Sequence, residues 1–227
     1  MNALARQRAN DLSDRHAPGL LTSTAAVTAD RLRLKRLLDV VLAVGLVVLT
    51  LPVLLFSVLA IRLTSRGAVV FRQRRIGHHG REFMMLKLRT MHAEAPELEA
   101  ALADDHDGIF LKVKGDARVT RVGRVLRTFS IDELPQLFNV LKGDMALVGP
   151  RPLLPTDMRR FPRGDVARRF EMKPGLTGLW QVSGRSLCSD SQRLQLDLEY
   201  VDRWSLWLDL SILARTPAAV LLARGAF

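Results

Sequence analysis

Residues 40–61 contain no charged side chain, and this run limits what the rest of the chain can become. At about 1.5 Å per residue, a straight helix of that length reaches roughly the ~30 Å of a bilayer's hydrocarbon core. Pro52 sits in its middle, where it removes a backbone donor and clashes with the preceding turn, so the helix is expected to bend sharply or break there. Basic residues flank the run on both sides: Arg31, Arg33, Lys35 and Arg36 before it, then Arg62, Arg66, Arg72, Arg74 and Arg75 after it. A spanning helix normally carries a one-sided excess of Lys and Arg, whereas a symmetric excess suits a helix-break-helix that returns to the side it entered from. These arguments leave a kinked span and a re-entrant hairpin both open. Asp39, one turn after Lys35 and Arg36, is expected to pair with them at the interface.

Upstream of the run, residues 1–30 mix Arg, Asp, Ser, Thr and Ala without an apolar period, which predicts a loosely ordered tail. They do not make a signal peptide, because the apolar run comes late, is long and lacks a small-residue cleavage pattern. The 227 residues suffice for one sizeable domain, and their net charge of +11 calls for an acidic partner. Nucleic acid, anionic lipid and a phosphorylated small substrate all qualify. A nucleic-acid binder would align its arginines in a stripe with aromatic platforms; here they are dispersed and interrupted by carboxylates, so no nucleic acid is expected. The lone Cys188 rules out an internal disulfide and reads as a small packed side chain.

After the apolar run the hydrophobic period shortens. Val69, Val70 and Phe71, then Phe83, Met84, Met85 and Leu86, separated by Gly77, His78, His79 and Gly80, predict two short strands around a turn. An acidic, alanine-rich stretch at 94–102 suggests a surface helix. The cluster Asp104, Asp105, His106 and Asp107 suggests a solvated loop tip more than a metal site, since no apolar strand precedes it. The remaining histidines have no ligand spacing.

Chemistry gathers downstream. Asp132 and Glu133 stand side by side between Arg127 and Arg151, and Arg151 lies between Pro150 and Pro152. A carboxylate that stays ionised among guanidinium groups can attack a phosphorus or hold a metal against one, because the arginines neutralise the phosphoryl oxygens that would repel it. Ser130 and Glu133 fit a capping box, so Glu133 has a structural reading as well. Pro135 allows the helix to begin there, which puts Asp132 beside a helix N-terminus, a place that favours anions. Asn139 to Gly143 reads as that helix's end with a glycine stop. The two prolines fix the backbone at Arg151 and present its planar fork with little entropy left to lose. Gly175, Gly178 and Gly184 punctuate a loop ending at Arg185, and such glycines would let backbone amides approach a ligand. The last stretch, with Leu194, Leu198, Tyr200, Trp204 and Trp207, suits either a helix in the headgroup region or the core face of an amphipathic helix.

Several blocks together carry a resemblance: Lys35, Arg36 and Asp39; Phe71, Gln73, Arg75 and Gly77; Lys87, Arg89, Thr90 and Met91; Ser130 through Leu137; Asn139 through Met145; Val148 through Pro152; Pro174 through Gly178; and Asp197 through Val201. In order and spacing the chain from about Lys35 onward resembles the bacterial sugar transferases, the monotopic phosphoglycosyl transferases that prime glycan assembly on a polyprenol phosphate.

The resemblance implies a mostly helical α+β protein with an N-terminal re-entrant membrane helix-break-helix, interfacial amphipathic helices and a small catalytic domain with short strands. Along this chain that gives a basic tail at 1–34, the re-entrant helix at 35–66 with Pro52 at its break, and a cytoplasmic catalytic domain at 67–227. Members often carry Ser before that proline; here Leu51 precedes Pro52, with Thr50 before it. The implied reaction moves a sugar-1-phosphate from a UDP-sugar to undecaprenyl phosphate with Mg2+, releasing UMP, at the cytoplasmic face of a bacterial inner membrane, in exopolysaccharide or related glycan synthesis. Asp132 is implied as nucleophile and metal neighbour, Glu133 as metal or proton handler, and Arg127 as a catalytic residue at a position expected to hold phosphate or nucleotide. Lys87, Arg89, Pro150, Arg151, Pro152 and Arg185 are implied to bind substrate. Membrane lipid is a partner, and the family admits a homodimer. A non-catalytic scaffold for polysaccharide assembly would keep the membrane run and lose Asp132 or Glu133; both are present.

Overall fold

The structure is a computed structural model that describes residues 18–92, 116–159, 163–184 and 188–221. The expected surface helix at 94–102, the loop at 104–107 and Arg185 lie outside the described residues. The chain divides into two compact units, Met1–Leu38 and Asp39–Phe227. The described part of the first unit is the beginning of helix α1, Pro18–Thr64, which also opens the second. Residues 18–30 are therefore helical where a loose tail is expected. Leucines and alanines between Pro18 and Asp30 are strong helix formers, and propagation from an existing helix escapes the cost of a new nucleus.

Helix α1 is a single helical element with Pro52 inside it. Hydroxyls flank the proline. Thr50 Oγ1 donates to the Leu46 carbonyl at 2.7 Å and Ser57 Oγ to the Val53 carbonyl at 2.7 Å. Such back-bonds to the preceding turn bend helices, so Thr50 supplies near Pro52 the kind of hydroxyl contact that the missing serine would make. One stripe of the helix, Asp39, Ala43, Leu54, Ser57 and Ile61, is buried, following the 3.6-residue period. Apolar side chains on the rest of the uncharged run, among them Val48, Leu49, Leu55 and Phe56, are exposed, and Arg31, Arg33 and Arg62 are exposed beyond its ends. This long apolar helix is a candidate membrane anchor.

Strands β1, Val70–Ile76, and β2, Glu82–Leu88, form the expected hairpin, antiparallel with Val70 opposite Leu88 and Arg75 opposite Phe83. Successive residues alternate faces, so Phe71, Gln73 and Arg75 share a face with Phe83, Met85 and Lys87. Helix α2 spans Arg121–Thr128, a 3-10 turn spans Ile131–Glu133, and α3 spans Gln136–Lys142 and stops at Gly143 (φ 95°), as the sequence signals. Asn139 of α3 ties down β2: its Oδ1 accepts from Leu86 N at 3.0 Å and its Nδ2 donates to the Met84 carbonyl at 2.8 Å.

Strands β3, Ala146–Val148, and β4, Gly175–Thr177, form a short parallel pair. Helices α4, Arg163–Arg169, α5, Leu179–Ser183, α6, Asp190–Arg203, and α7, Leu206–Leu221, complete the body. The main core joins Ala43 of α1 to Phe83, Met85, Leu137, Leu147, Tyr200 and Ile212. A second cluster joins Leu54 and Ile61 of α1 to Leu88 and Leu126. Leu134 packs against both. Asp39 does not sit at an aqueous interface: it is buried, and its Oδ1 accepts from Leu147 N at 3.1 Å, which fixes the helix to β3. The last two helices serve mainly as core. Tyr200 is fully buried with its hydroxyl 2.7 Å from Asp209 Oδ1, while Trp207 is 79% exposed and keeps the interfacial reading.

Glycines 149 and 175 have a packing role between β3 and β4. A Cβ on Gly175 would lie 2.1 Å from Gly149 N and 2.3 Å from the Thr177 carbonyl oxygen. Neither backbone atom can yield without parting β3 from β4. Gly175→Ala is therefore expected to destabilise the protein by about 2 to 3 kcal/mol, as overpacking against an unyielding neighbour does. A thermal or denaturant unfolding midpoint equal to wild type would show that the pair tolerates separation.

Candidate active site

The 3-10 turn before α3 places the two carboxylates. Ser130 adopts a left-handed backbone (φ 55°, ψ 22°) and makes no side-chain cap, so the expected capping box with Glu133 does not form. The turn that replaces it sends the two side chains to different surroundings. Asp132 is buried, at 8% exposure, whereas Glu133 reaches across to β2 and meets Lys87 Nζ at 2.8 Å. Glu133 is thus held by a cation 46 residues away in sequence instead of by its own helix start.

Burial pushes the Asp132 carboxyl up to about 6, the Glu133 charge adds to the rise, and Lys87 and Arg127 oppose it. Lys87 and Arg127 act on Asp132 through their charge, while their hydrogen bonds go to Glu133 and Thr90. Arg127, at the end of α2, is steered by Thr90, whose Oγ1 accepts from its Nε at 2.8 Å. Burial lowers the Arg127 guanidinium from its ordinary range, and the Asp132 charge resists that fall. A buried carboxylate is thereby kept poorly solvated beside two cations, a state that favours reaction with an electrophile over hydration.

This arrangement fixes a pH dependence of stability. An acid whose folded value lies above its ordinary 3.8 keeps its full stability below that value and loses it as pH rises through about 6. At neutral pH the folded state therefore bears the whole cost, at most about 3 kcal/mol. Asp132→Asn is expected to melt at a higher temperature than wild type at pH 7.5, with the difference vanishing towards pH 4. A difference independent of pH would show that Asp132 is not held in this way.

A small, solvent-open cleft beside the turn is lined by Arg75, Lys87, Glu133, Gln136, Arg151 and Pro152, together with Gly175 and Gln181. Arg151 lies with its guanidinium carbon 5.4 Å from the centre of the Trp180 ring, and Arg193 stands 5.3 Å from the same ring. The Arg151 carbonyl accepts from Arg169 Nη2 at 2.6 Å. Arg169 in turn meets Asp197 of α6 at 2.5 Å, with 3% and 2% of the two side chains exposed. A buried ion pair therefore anchors the loop that presents Arg151.

Of the sequence-predicted residues, Lys87, Glu133, Arg151 and Pro152 line this cleft, with Pro150 on the adjoining wall beside Arg151 and Arg169. Asp132 and Arg127 do not line it, and Asp132 lies behind it within reach of the charges of Glu133, Lys87 and Arg127. Arg89 does not join them. Its guanidinium binds the Arg66 carbonyl, the Ser65 carbonyl at 3.0 Å and Ser65 Oγ at 2.8 Å, so it closes the C-terminal end of α1, where unpaired carbonyls attract a cation. Sequence reasoning passed over Thr90, Arg169, Trp180 and Arg193 as site components. Asp197 carried a family block without a role. Thr90 likewise belongs to a block that carries the resemblance, and the partners of all five lie far off in the sequence or in the tertiary packing. Among the described residues no group of three or more His, Cys, Asp or Glu is placed to hold a metal. Two adjacent carboxylates do suit Mg2+, which takes one or two carboxylates and completes its shell with water and substrate phosphate.

The sequence model of the bacterial sugar transferases matches residues 30–223. Among curated relatives, the UDP-glucose:undecaprenyl-phosphate glucose-1-phosphate transferase of Caulobacter vibrioides is 46% identical over 202 residues, covering 85% of this chain and 72% of that protein. The undecaprenyl-phosphate galactose phosphotransferase of Salmonella typhimurium is 41% identical over 201 residues, covering 86% of this chain but 42% of that protein. The exopolysaccharide production protein ExoY of Rhizobium meliloti is 41% identical over 201 residues, covering 85% of this chain and 88% of that protein.

Proposed function

Because this chain belongs to the bacterial sugar transferase family, we propose that Asp132 attacks the sugar-bearing phosphorus of a UDP-sugar and passes the resulting phosphosugar to undecaprenyl phosphate. The protein is an enzyme of the undecaprenyl-phosphate sugar-1-phosphate transferase type. The observation that carries the mechanism is the buried, poorly solvated Asp132 next to Glu133, which with Lys87, Arg75 and Arg151 lines a cleft whose cations suit a diphosphate. In the first half-reaction a carboxylate oxygen of Asp132 bonds to the sugar-bearing phosphorus while the bridging bond to UMP breaks, and UMP leaves with the electron pair. In the second, a phosphate oxygen of the lipid displaces Asp132 and yields the lipid diphosphosugar. Splitting the transfer lets a soluble and a lipid substrate use one phosphoryl pocket in turn.

Lys87 pairs with Glu133, and Lys87 and Arg127 offset charge near the attacking carboxylate. Arg151, on its anchored loop, presents a planar fork to phosphate oxygens. Bound Mg2+ would supply charge neutralisation of the diphosphate, with Asp132 and Glu133 as its protein neighbours. Mixing purified protein, UDP-sugar, Mg2+ and polyprenol phosphate should release UMP and form a lipid-linked sugar. No UMP from any member of a UDP-sugar panel would end this reading, and the member that works names the sugar.

The proposed site lies at the cytoplasmic face of the bacterial inner membrane, in exopolysaccharide or related glycan synthesis, and α1 enters and leaves the bilayer from that face by bending near Pro52. The support is that body residues pack along α1 both before and after Pro52, which a helix crossing a bilayer would forbid unless polar body residues entered lipid. Single cysteines placed near residue 20 and in the body, in a Cys188-free background, should both resist an impermeant thiol reagent in intact cells. Labelling of one end alone would establish a span.

A further inference from the structure

Arg75 belongs to β1; the sequence shows it as one of five basic residues following the apolar run and as a member of a block that carries the resemblance, with no role attached. The strand's alternation turns it into the cleft and turns its neighbour Arg74 outward, where Arg74 stands 67% exposed near Glu82. Arg75 is 7% exposed. Its Nε and Nη2 both donate to Gln73 Oε1, at 3.2 and 2.6 Å, and its Nη1 donates to the Pro152 carbonyl at 3.2 Å. A guanidinium has five N–H donors, so two of them have no acceptor among the described residues. Gln73 and Pro152 together fix the plane of the fork, which removes most of the rotational freedom that binding would otherwise cost.

The charge around it is mixed. Arg75, Lys87 and Arg151 line the cleft with Glu133, and Asp157 also acts on the Arg75 charge. Lys87 is engaged with Glu133, and Arg75 and Arg151 share one cleft, close enough for the Arg151 charge to weaken the hold of Arg75 on its proton. Burial lowers the Arg75 guanidinium to about 10, and the nearby Arg151 charge lowers it further against the pull of Asp157 and Glu133. Two guanidinium groups that share one cleft repel each other, and an anion seated between them relieves that repulsion.

We propose that Arg75 is a substrate-binding residue that, with Arg151, seats the diphosphate of the nucleotide-sugar, and that Gln73 is the residue positioning its fork. This rests on the transferase reading for the identity of the donor. The seat itself can be tested without turnover. The probe is inorganic pyrophosphate, titrated into the purified full-length chain in detergent micelles and followed by calorimetry or by the rise in melting temperature, with inorganic phosphate as a parallel arm.

Arg75→Gln should weaken pyrophosphate binding about tenfold or more, the size of one lost charge-assisted contact. Arg74→Gln removes the same charge from the opposite face of the strand and should leave binding within about twofold of wild type. Gln73→Leu, which keeps both arginines, should weaken binding by a smaller factor. In turnover, Arg75→Gln should raise KM for the UDP-sugar more than KM for the lipid phosphate. If Arg75→Gln melts too low to titrate, Arg75→Lys, which keeps a charge and gives up the fork, should show a reduced version of the same loss. Equal losses in Arg74→Gln and Arg75→Gln would reduce the effect to net charge and overturn the proposal. So would wild-type protein that binds no pyrophosphate, or that binds phosphate as tightly as pyrophosphate. A chain that bound pyrophosphate through Arg75 yet released no UMP would refute the transferase reading and keep the seat.

Discussion

Asp132→Asn should abolish the burst of UMP that wild-type enzyme gives with UDP-sugar and Mg2+ in the absence of lipid acceptor. Wild type should release about one equivalent per active site, as a nucleophile that stays esterified must, and leave a phosphosugar on the peptide containing Asp132. The amide keeps the shape of the carboxyl and removes its charge, so turnover should fall by about 10^4-fold or more, the scale on which enzymes lose a nucleophile. The fold should persist, since the substitution removes a charge that burial already penalises. Glu133→Gln should slow turnover strongly while still allowing some adduct, and it releases Lys87 from its 2.8 Å contact. An adduct forming normally in Asp132→Asn would transfer the nucleophile's role elsewhere. A requirement for lipid before any UMP appears would replace the two-step path with direct transfer.

The second large effect is expected far from the reacting atoms. Asp197→Ala removes the carboxylate that faces Arg169 at 2.5 Å and leaves a buried guanidinium whose other contact is the Arg151 carbonyl. Breaking a buried pair by deleting one partner costs about 3 to 5 kcal/mol, because the remaining charge has no compensation. The unfolding midpoint should drop accordingly. In the double variant Arg169→Met with Asp197→Leu no charge remains to be stranded, so much of the stability should return. Activity should not return with it, because the Arg151 loop would still lack the donor that holds its carbonyl. Full recovery of both would show that the pair serves packing alone. Loss of stability below about 1 kcal/mol in Asp197→Ala would show that water reaches Arg169.

Much of the local structure was legible in the residues. The hairpin followed from two short apolar runs around Gly77 and Gly80, and the end of α3 followed from Gly143, whose φ of 95° suits an achiral residue. Asp132 and Glu133 stood out because two carboxylates between arginines are hard to explain by solubility. The capping box was legible too and did not form, since Ser130 turned left-handed and Glu133 found Lys87 instead. The cap was worth about 1 kcal/mol at most, and a half-buried ion pair between a strand and a turn displaced it. Arg89 shows the same limit. Its place in a basic block suggested substrate, yet the end of α1 offered it three oxygens.

What the sequence by itself determined is whatever depends on steric rules between near neighbours and on the apolar period: the long helix, the hairpin, the glycine stop and the stiff Pro150, Arg151, Pro152 loop. Tertiary structure alone decided which charges meet. Lys87 finds Glu133 across 46 residues, Arg127 finds Thr90 across 37, Arg75 reaches Pro152 across 77, and Asp39 reaches Leu147 across 108. Closing such loops costs entropy that grows only slowly with their length, so sequence separation carries little information about which pairs form. The choice falls to packing: α1 docks its buried stripe against both core clusters, β3 and β4 close over two glycines, and the polar side chains take the partners that this arrangement leaves within reach.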